Sequence, residues 1–373
     1  MHIHIQNQHF RKAIADVSRV VSSKSPFPSL TGIKLTADDH KLTLIGSNST
    51  TIIKKEIPAS EDTLVITEPG SIIIPAVYLY ELVKKLPQDL SIHVDENHSI
   101  TIRSKDILTR MKGLNPYDYP PLPELNHDSS IEIESGELVQ LIKQTAFAVS
   151  SNDTRPVLTG VHFSIQKDEL ITIATNSHRL ALKKHKISST IKGDCIVPSA
   201  ALFELNRLIE KDCSPVNILI TDHYIVFTTA DMSFYSRLIE GSYPDTSSLI
   251  PNDSKTTVTL NTSDFLEGVD RACLFSKEWR NHNIQLELMH GSHLKISSRS
   301  SEIGRIEELQ KLSALTGDNE LILTLDGRFL MEALKSINED EVSLCFSGSM
   351  RPVLIHPVDN LQHLQLISPV RAG

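Results

Sequence analysis

Apolar residues recur at three- and four-residue steps in several stretches of the chain, and that spacing predicts amphipathic helices. Phe10, Ala13, Ile14, Val17 and Val21 share one face of the first. Leu138, Leu141, Ile142, Ala146 and Val149 share another, and Phe265, Val269, Ala272 and Cys273 a third. Thr262 or Ser263, just before Asp264, is the expected N-cap of that last helix. After each helix the period falls to two, as strands require. Ile33–Leu35 with Leu42–Ile45, Val161–Phe163 with Leu170–Ile173, and Ile284–Leu286 with Leu294–Ile296 read as paired strands. Asp38-Asp39-His40, Lys167-Asp168 and Gly291-Ser292 supply the turns between them.

The pattern is written three times. Ile74–Leu82 matches Val197–Leu205 and, more faintly, Leu325–Ala333; Leu79, Leu202 and Leu330 hold one position, at intervals of 123 and 128 residues. Phe10, Leu138 and Phe265 hold another, at intervals of 128 and 127. A period that long is a whole domain used three times. A second helix is expected in each copy, near 76–86, 199–210 and 327–337. Each copy is thus two strand–helix–strand half-units, with helices on one face of antiparallel sheets, an α+β class. Tyr119–Pro123 and Tyr243–Asp245 read as linkers, which sets domains at 1–122, 130–248 and 256–373. The apolar, Pro-bearing end from Leu364 to Gly373 is expected to pack.

The length of 373 residues suits three domains of roughly 100–150 residues each. A hydrophobic fraction of 40% with 22% charged residues indicates packed cores and not disorder. Cys195, Cys213, Cys273 and Cys345 are far apart and read as reduced thiols. With no signal-peptide pattern and no apolar run of about 20 residues, a soluble cytoplasmic protein is expected.

The net charge of −9 disfavours phosphate-driven binding by the whole surface. Six helix windows (7–24, 76–88, 136–152, 199–212, 264–275, 327–337) behave differently. They hold twelve basic and ten acidic residues, a net of +2, so the remainder carries −11. Arg11, Lys12, Arg19, Lys24, Lys84, Lys85, Lys143, Arg207, Lys211, Arg271, Arg328 and Lys335 could together form a surface that tolerates a polyanion without reading sequence. Taken singly, each also reads as part of a solvated helix face.

Catalytic patterns are missing: the sequence has no GxSxG, P-loop, GxGxxG or HExxH. Ser177 and His178 are adjacent, which on a strand turns them to opposite faces. His2, His4 and His9 lack acidic or Cys partners for a metal. No catalytic residue, metal or cofactor is expected. The first two copies differ where Ser47–Ile52 becomes Thr175–Leu180, which introduces His178 and Arg179.

Thr154–Val161, Ala174–Leu182, Glu240–Asp245 and Gln365–Arg371, in that order and with three repeats, resemble the bacterial DNA polymerase III beta subunit, the sliding-clamp family, over essentially the whole chain. The resemblance implies three clamp domains per chain and a ring-shaped head-to-tail homodimer, with helices lining the inside and antiparallel sheets outside. Twelve helices about 9–10 Å apart leave a hole of about 26 Å, wide enough for a duplex. It also implies topological, non-sequence-specific tethering to duplex DNA as a processivity factor, without catalysis. The implied partner groove comprises Leu158, Thr175, Ser177, His178, Arg179, Leu180, Pro244, Leu249, Leu366, Pro369, Val370 and Arg371. There the polymerase III alpha subunit, clamp loader and repair proteins would dock Leu/Phe-rich peptides. Three residues depart from the family pattern: Asn176 for Asp, Ser368 for an apolar residue, and Ser248 for Arg. They suit an alternative, a clamp-like adaptor paralogue with altered partner binding and no main replicative role. Ring closure is expected through edge strands near 105–114 and 303–312.

Overall fold

The computed structural model describes every residue except 125–129, 153, 190, 191, 211–213, 252, 277–281, 290, 303 and 371–373. Among the described residues six α-helices form: α1 (Asn7–Ser18), α2 (Ala76–Lys85), α3 (Ser135–Thr145), α4 (Ser199–Ile209), α5 (Thr262–Leu274) and α6 (Gly327–Lys335). Each follows directly on a strand: His2–Ile5, Gly70–Pro75, Ile131–Glu134, Gly193–Pro198, Thr256–Asn261 and Ile322–Asp326. The hairpins recur with them. Gly32–Ala37 pairs with Lys41–Ser47 and with Gly70–Pro75. Gly160–Ile165 pairs with Glu169–Thr175 and with Gly193–Pro198. Asn283–Met289 pairs with His293–Ser300 and with Ile322–Asp326. All these ladders are antiparallel, so the threefold repeat is a repeat of topology.

The chain divides into two compact units. The first comprises residues 1–136 and 204–238. Its five-stranded sheet runs Leu64–Glu68, His2–Ile5, Leu90–Val94, Ser99–Ser104, Ile107–Lys112, so the last of these is a free edge. Its eight-stranded sheet joins the first two copies through Thr51–Pro58 and Met232–Arg237. Phe10, Ala13, Ile14 and Val17 of α1 are buried. Val20, not the expected Val21, is the next residue in the core, because the helix stops at Ser18. The strand Lys41–Ser47 accepts α1 closely at Gly46, where a Cβ would stand 2.1 Å from the Val17 carbonyl oxygen.

The second unit comprises residues 137–203 and 239–373. Its nine-stranded sheet runs Gly193–Pro198, Gly160–Ile165, Glu169–Thr175, Arg179–Lys186, His363–Ile367, Val353–Pro357, Glu341–Phe346, Thr256–Asn261, Ala314–Gly317. A four-stranded sheet ends in the free edge Gly304–Lys311. Phe265, Val269 and Ala272 of α5 and Leu330, Ala333 and Leu334 of α6 pack with Leu344, Ile355 and Ile367 in one core.

Three helix details differ from the sequence reading. α3 ends at Thr145, so Ala146 lies in a following 3-10 turn and Val149 beyond it. Arg19 is the C-cap of α1 and Lys24 lies beyond it, so neither is inside the helix. The N-cap of α5 is Asn261, whose side chain accepts from the Asp264 N–H at 3.0 Å. Asn reaches the third helical amide from one position earlier, which leaves Thr262 and Ser263 inside the helix.

Candidate functional site

Antiparallel register decides which residues share a face. Leu180 sits opposite Leu366, and Leu182 opposite Leu364; Leu366 also faces Leu354 on its other side. Leu180, Leu182 and Leu366 form an apolar cluster separate from the helix-side core, flanked by half-buried Ile171, Ile173, Ile250, Leu354 and Leu364. These strands therefore carry apolar side chains on both faces. One face meets the helices, and the other carries this second apolar strip, the trough, where Leu180, Leu182 and Leu366 lie buried among half-buried neighbours. Leu182, Leu364, Ile250 and Leu354 were not anticipated, although Leu182 and Leu364 lie two residues from Leu180 and Leu366 and so share their face.

A turn walls one end of the trough. The Asn176 Oδ1 accepts from the backbone N–H groups of His178 and Arg179, both at 3.0 Å. The Thr175 hydroxyl donates to the Arg179 carbonyl at 2.6 Å and accepts from the Ser177 N–H at 3.2 Å. These bonds hold Ser177 at φ 74°, a left-handed conformation that a short polar side chain tolerates. Ser177 and His178 are exposed at its tip. Both turn bonds go to an oxygen that Asn and Asp share, so the neutral side chain keeps the geometry.

Arg179 is placed differently from a groove-rim residue. It is 8% exposed and pairs with Ile367, on the helix side of the sheet. Its guanidinium donates to Glu332 of α6 and to the Phe147 carbonyl. It lies 4.4 Å from the Phe329 ring centroid and 5.3 Å from that of Phe147. Its role here is to pin the strand to the helices.

The other groove residues are set by their own anchors. Thr175 donates its N–H to the Tyr243 hydroxyl at 3.0 Å, and the Tyr243 ring stacks on His162 with centroids 5.0 Å apart. Burial pushes the Tyr243 hydroxyl pKa up and that of the His162 ring down, so both are neutral. Leu158 is buried in the 3-10 turn Pro156–Thr159; Pro244 is exposed, and Leu249 is 48% exposed. The C-terminal segment packs as expected as far as Val370, the last described residue. Ser368 donates its N–H to the His178 carbonyl and Val370 to the Thr324 carbonyl, at 2.9 and 2.8 Å, which leaves Pro369 and Val370 half-buried. Arg371 lies outside the described residues.

Beneath the trough, on the helix side, His363 is fully buried. Its Nε2 lies 2.8 Å from Gln365 and 3.3 Å from Ser336, and Gln365 donates to the Gln144 carbonyl at 3.1 Å. Burial, then the nearby Lys183 charge, lower its pKa to about 4.

The helix cations are distributed by a simple rule. Lys84 and Lys85, Lys143, Arg207, Arg271 and Lys335 occupy the last turns of five helices, where the helix dipole favours positive charge. Several are matched by carboxylates: Arg19 and Arg207 by Glu204 at 3.6 and 2.5 Å, and Lys84 by Glu81 at 3.1 Å. Arg328 meets Asp326 at 3.0 Å, and Arg271 meets Glu308 through two bonds of 2.8 Å. Arg11, Lys12, Lys24, Lys85, Lys143 and Lys335 are exposed; Lys211 lies outside the described residues. Among the described residues no group of three or more His, Cys, Asp or Glu could hold a metal ion, and no helix is long and apolar enough to cross a membrane.

Comparison with known proteins covers the chain end to end. The DNA polymerase III beta subunit family matches as its N-terminal domain over residues 1–123, its central domain over 132–245 and its C-terminal domain over 247–371. The beta sliding clamp of Bacillus subtilis is 38% identical over 373 residues, 98% of each chain. The crystal structure of the Bacillus subtilis DNA polymerase sliding clamp superposes with a TM-score of 0.97 at 37% identity. That of the Streptococcus pneumoniae DNA polymerase III beta chain does so at 0.95 and 33%; both cover the whole of each chain. Three clamp domains of helices and antiparallel sheet, matched in sequence and in structure, place this chain in the DNA polymerase III beta subunit family, the sliding clamps of DNA replication.

Proposed function

We propose that two copies of this chain close head to tail into a ring around duplex DNA, with domains at 1–122, 130–248 and 256–373 and the helices facing the duplex. Exposed apolar residues on the Ile107–Lys112 and Gly304–Lys311 edge strands support this closure. Ile107 and Leu108 lie on one edge, Leu309 lies on the other, and Leu274 is exposed at the end of the adjacent α5. Arg110 and Lys112 on the first edge suit Glu307 on the second, which steers pairing more than it stabilises it. The ring holds DNA by topology, in keeping with exposed but sparse cations and an acidic chain. It is a non-catalytic cytoplasmic processivity factor.

The trough is the partner site, where the polymerase III alpha subunit, clamp loader and repair proteins compete with Leu/Phe-bearing extended peptides. The observation that carries this reading is the second apolar cluster around Leu180, Leu182 and Leu366, on the sheet face away from the helices. Asn176 preserves the geometry of its turn, so what it changes relative to Asp is the charge beside His178. The test is fluorescence anisotropy with a short Leu/Phe-bearing peptide. Leu249→Glu, at an exposed position, and truncation after Ser368 should each weaken binding about tenfold or more. Unchanged affinity in both would remove the site.

A further inference from the structure

Cys345 stands on the trough side of the nine-stranded sheet with a base beside it. His356, on the neighbouring strand, brings Nε2 to 3.6 Å from Sγ. Its Nδ1 lies 2.7 Å from the Pro357 carbonyl oxygen. A carbonyl only accepts, so Nδ1 carries the proton and the neutral ring turns its Nε2 lone pair towards the thiol. Thr257 Oγ1 donates to Sγ at 3.7 Å, and the Ser254 and Thr257 hydroxyls are 3.1 Å apart. Burial acts to raise the Cys345 pKa, yet the hydrogen bonds with His356 and Thr257 bring it below the ordinary thiol value. The hydrogen bond to Cys345 raises the His356 pKa. Cys345 is half-buried, whereas Cys195 is sealed, and burial pushes its thiol up to about 12.

Register ties this pair to the trough. Thr257, Cys345, Leu354, Leu366 and Leu180 are successive partners across five adjacent strands. Cys345 is therefore two strands from Leu366, about 10 Å at the usual strand spacing. A tripeptide-sized substituent reaches about 10 Å.

We propose that Cys345, with His356 as proton acceptor, is a modification site that takes a low-molecular-weight disulfide, and that the adduct occludes the peptide trough. Sγ attacks one sulfur of the disulfide, whose S–S bond breaks as the Cys345 mixed disulfide forms. The departing thiolate takes the proton held by His356 Nε2, so the small disulfide is reduced to one thiol as Cys345 is oxidised. The occlusion rests on the trough being the partner site; the thiol chemistry does not.

The experiment treats the full chain with oxidised glutathione and follows intact mass and peptide mapping. An adduct maps to Cys345, and Cys345→Ser removes it; Cys213 lies outside the described residues and is replaced by Ser throughout. His356→Asn slows its formation about tenfold or more, and the near-isosteric Thr257→Val slows it with the fold retained. The adduct then weakens the Leu/Phe-bearing peptide at least about tenfold, and reductant restores binding. Mapping to another cysteine, or rates indifferent to both His356→Asn and Thr257→Val, would overturn the site. Full peptide binding by the modified chain would overturn the occlusion and leave the trough standing. No peptide binding by the unmodified chain would instead remove the trough, and the occlusion with it.

Discussion

Arg179 is held by its surroundings more than by any partner peptide. Its guanidinium lies between Phe329 and Phe147 and is bonded to Glu332 and a backbone carbonyl. Arg179→Ala removes these contacts, while the half-exposed Glu332 carboxylate can still turn to water. The expected loss is about 2 kcal/mol of unfolding free energy in urea denaturation. Any weakening of peptide binding should follow from the loosened turn. The neighbouring Leu180 belongs to the trough and Arg179 to the helix side, a division that follows from strand alternation. The partner of Arg179 was not legible, because Glu332 lies 153 residues away. His363 makes a second claim at this scale. Between about pH 6.5 and about pH 4 the unfolded chain takes up a proton there that the folded protein refuses. Stability should therefore be fully present above that window and fall through it as the pH drops, by roughly 3 kcal/mol for this group. The urea midpoint of His363→Asn should show a smaller drop between about pH 7 and about pH 5 than the parent.

At the scale of elements, periodicity was a good guide to which segments form helices and a poor one to where they stop. Apolar spacing carries on past the helix ends at Val21 and Val149, yet both stay half-buried while Val20 and Ala148 enter the core, because the helical phase is lost beyond the terminus. The caps decide the boundary. Asn261 caps α5, and Asp326 caps α6 by accepting from the Arg328 and Phe329 amides at 2.9 and 3.4 Å. Asn261→Ala should cost about 1 kcal/mol, read as a lowered midpoint in thermal or urea unfolding. Ser263→Ala, inside the helix, should change little. The trough was legible only through the family resemblance and the alternation of Leu180 with Leu182. Leu354 arrives through long-range register with Leu366, and Ile250 comes from the end of the 3-10 turn Ser247–Leu249, neither of which local spacing encodes.

For the whole molecule, the threefold repeat was readable because each copy preserves the same strand–helix–hairpin order, down to which strands pair. The charge argument was weaker. Among the described residues five of the six helices carry cations in the last turn, where the dipole alone accounts for them, and nearby carboxylates neutralise several. Retention on DNA by topology asks little of those cations, whereas retention by phosphate contacts would ask for many. The two mechanisms separate cleanly in one measurement, which loads the protein onto nicked circular DNA with a clamp loader and then cuts the circle. Protein that stays on the closed circle through a high-salt wash and is released on linearisation is the predicted result, with Leu309→Asp failing to be retained. Release from the intact circle, or retention indifferent to cutting, would contradict a ring that encloses its DNA.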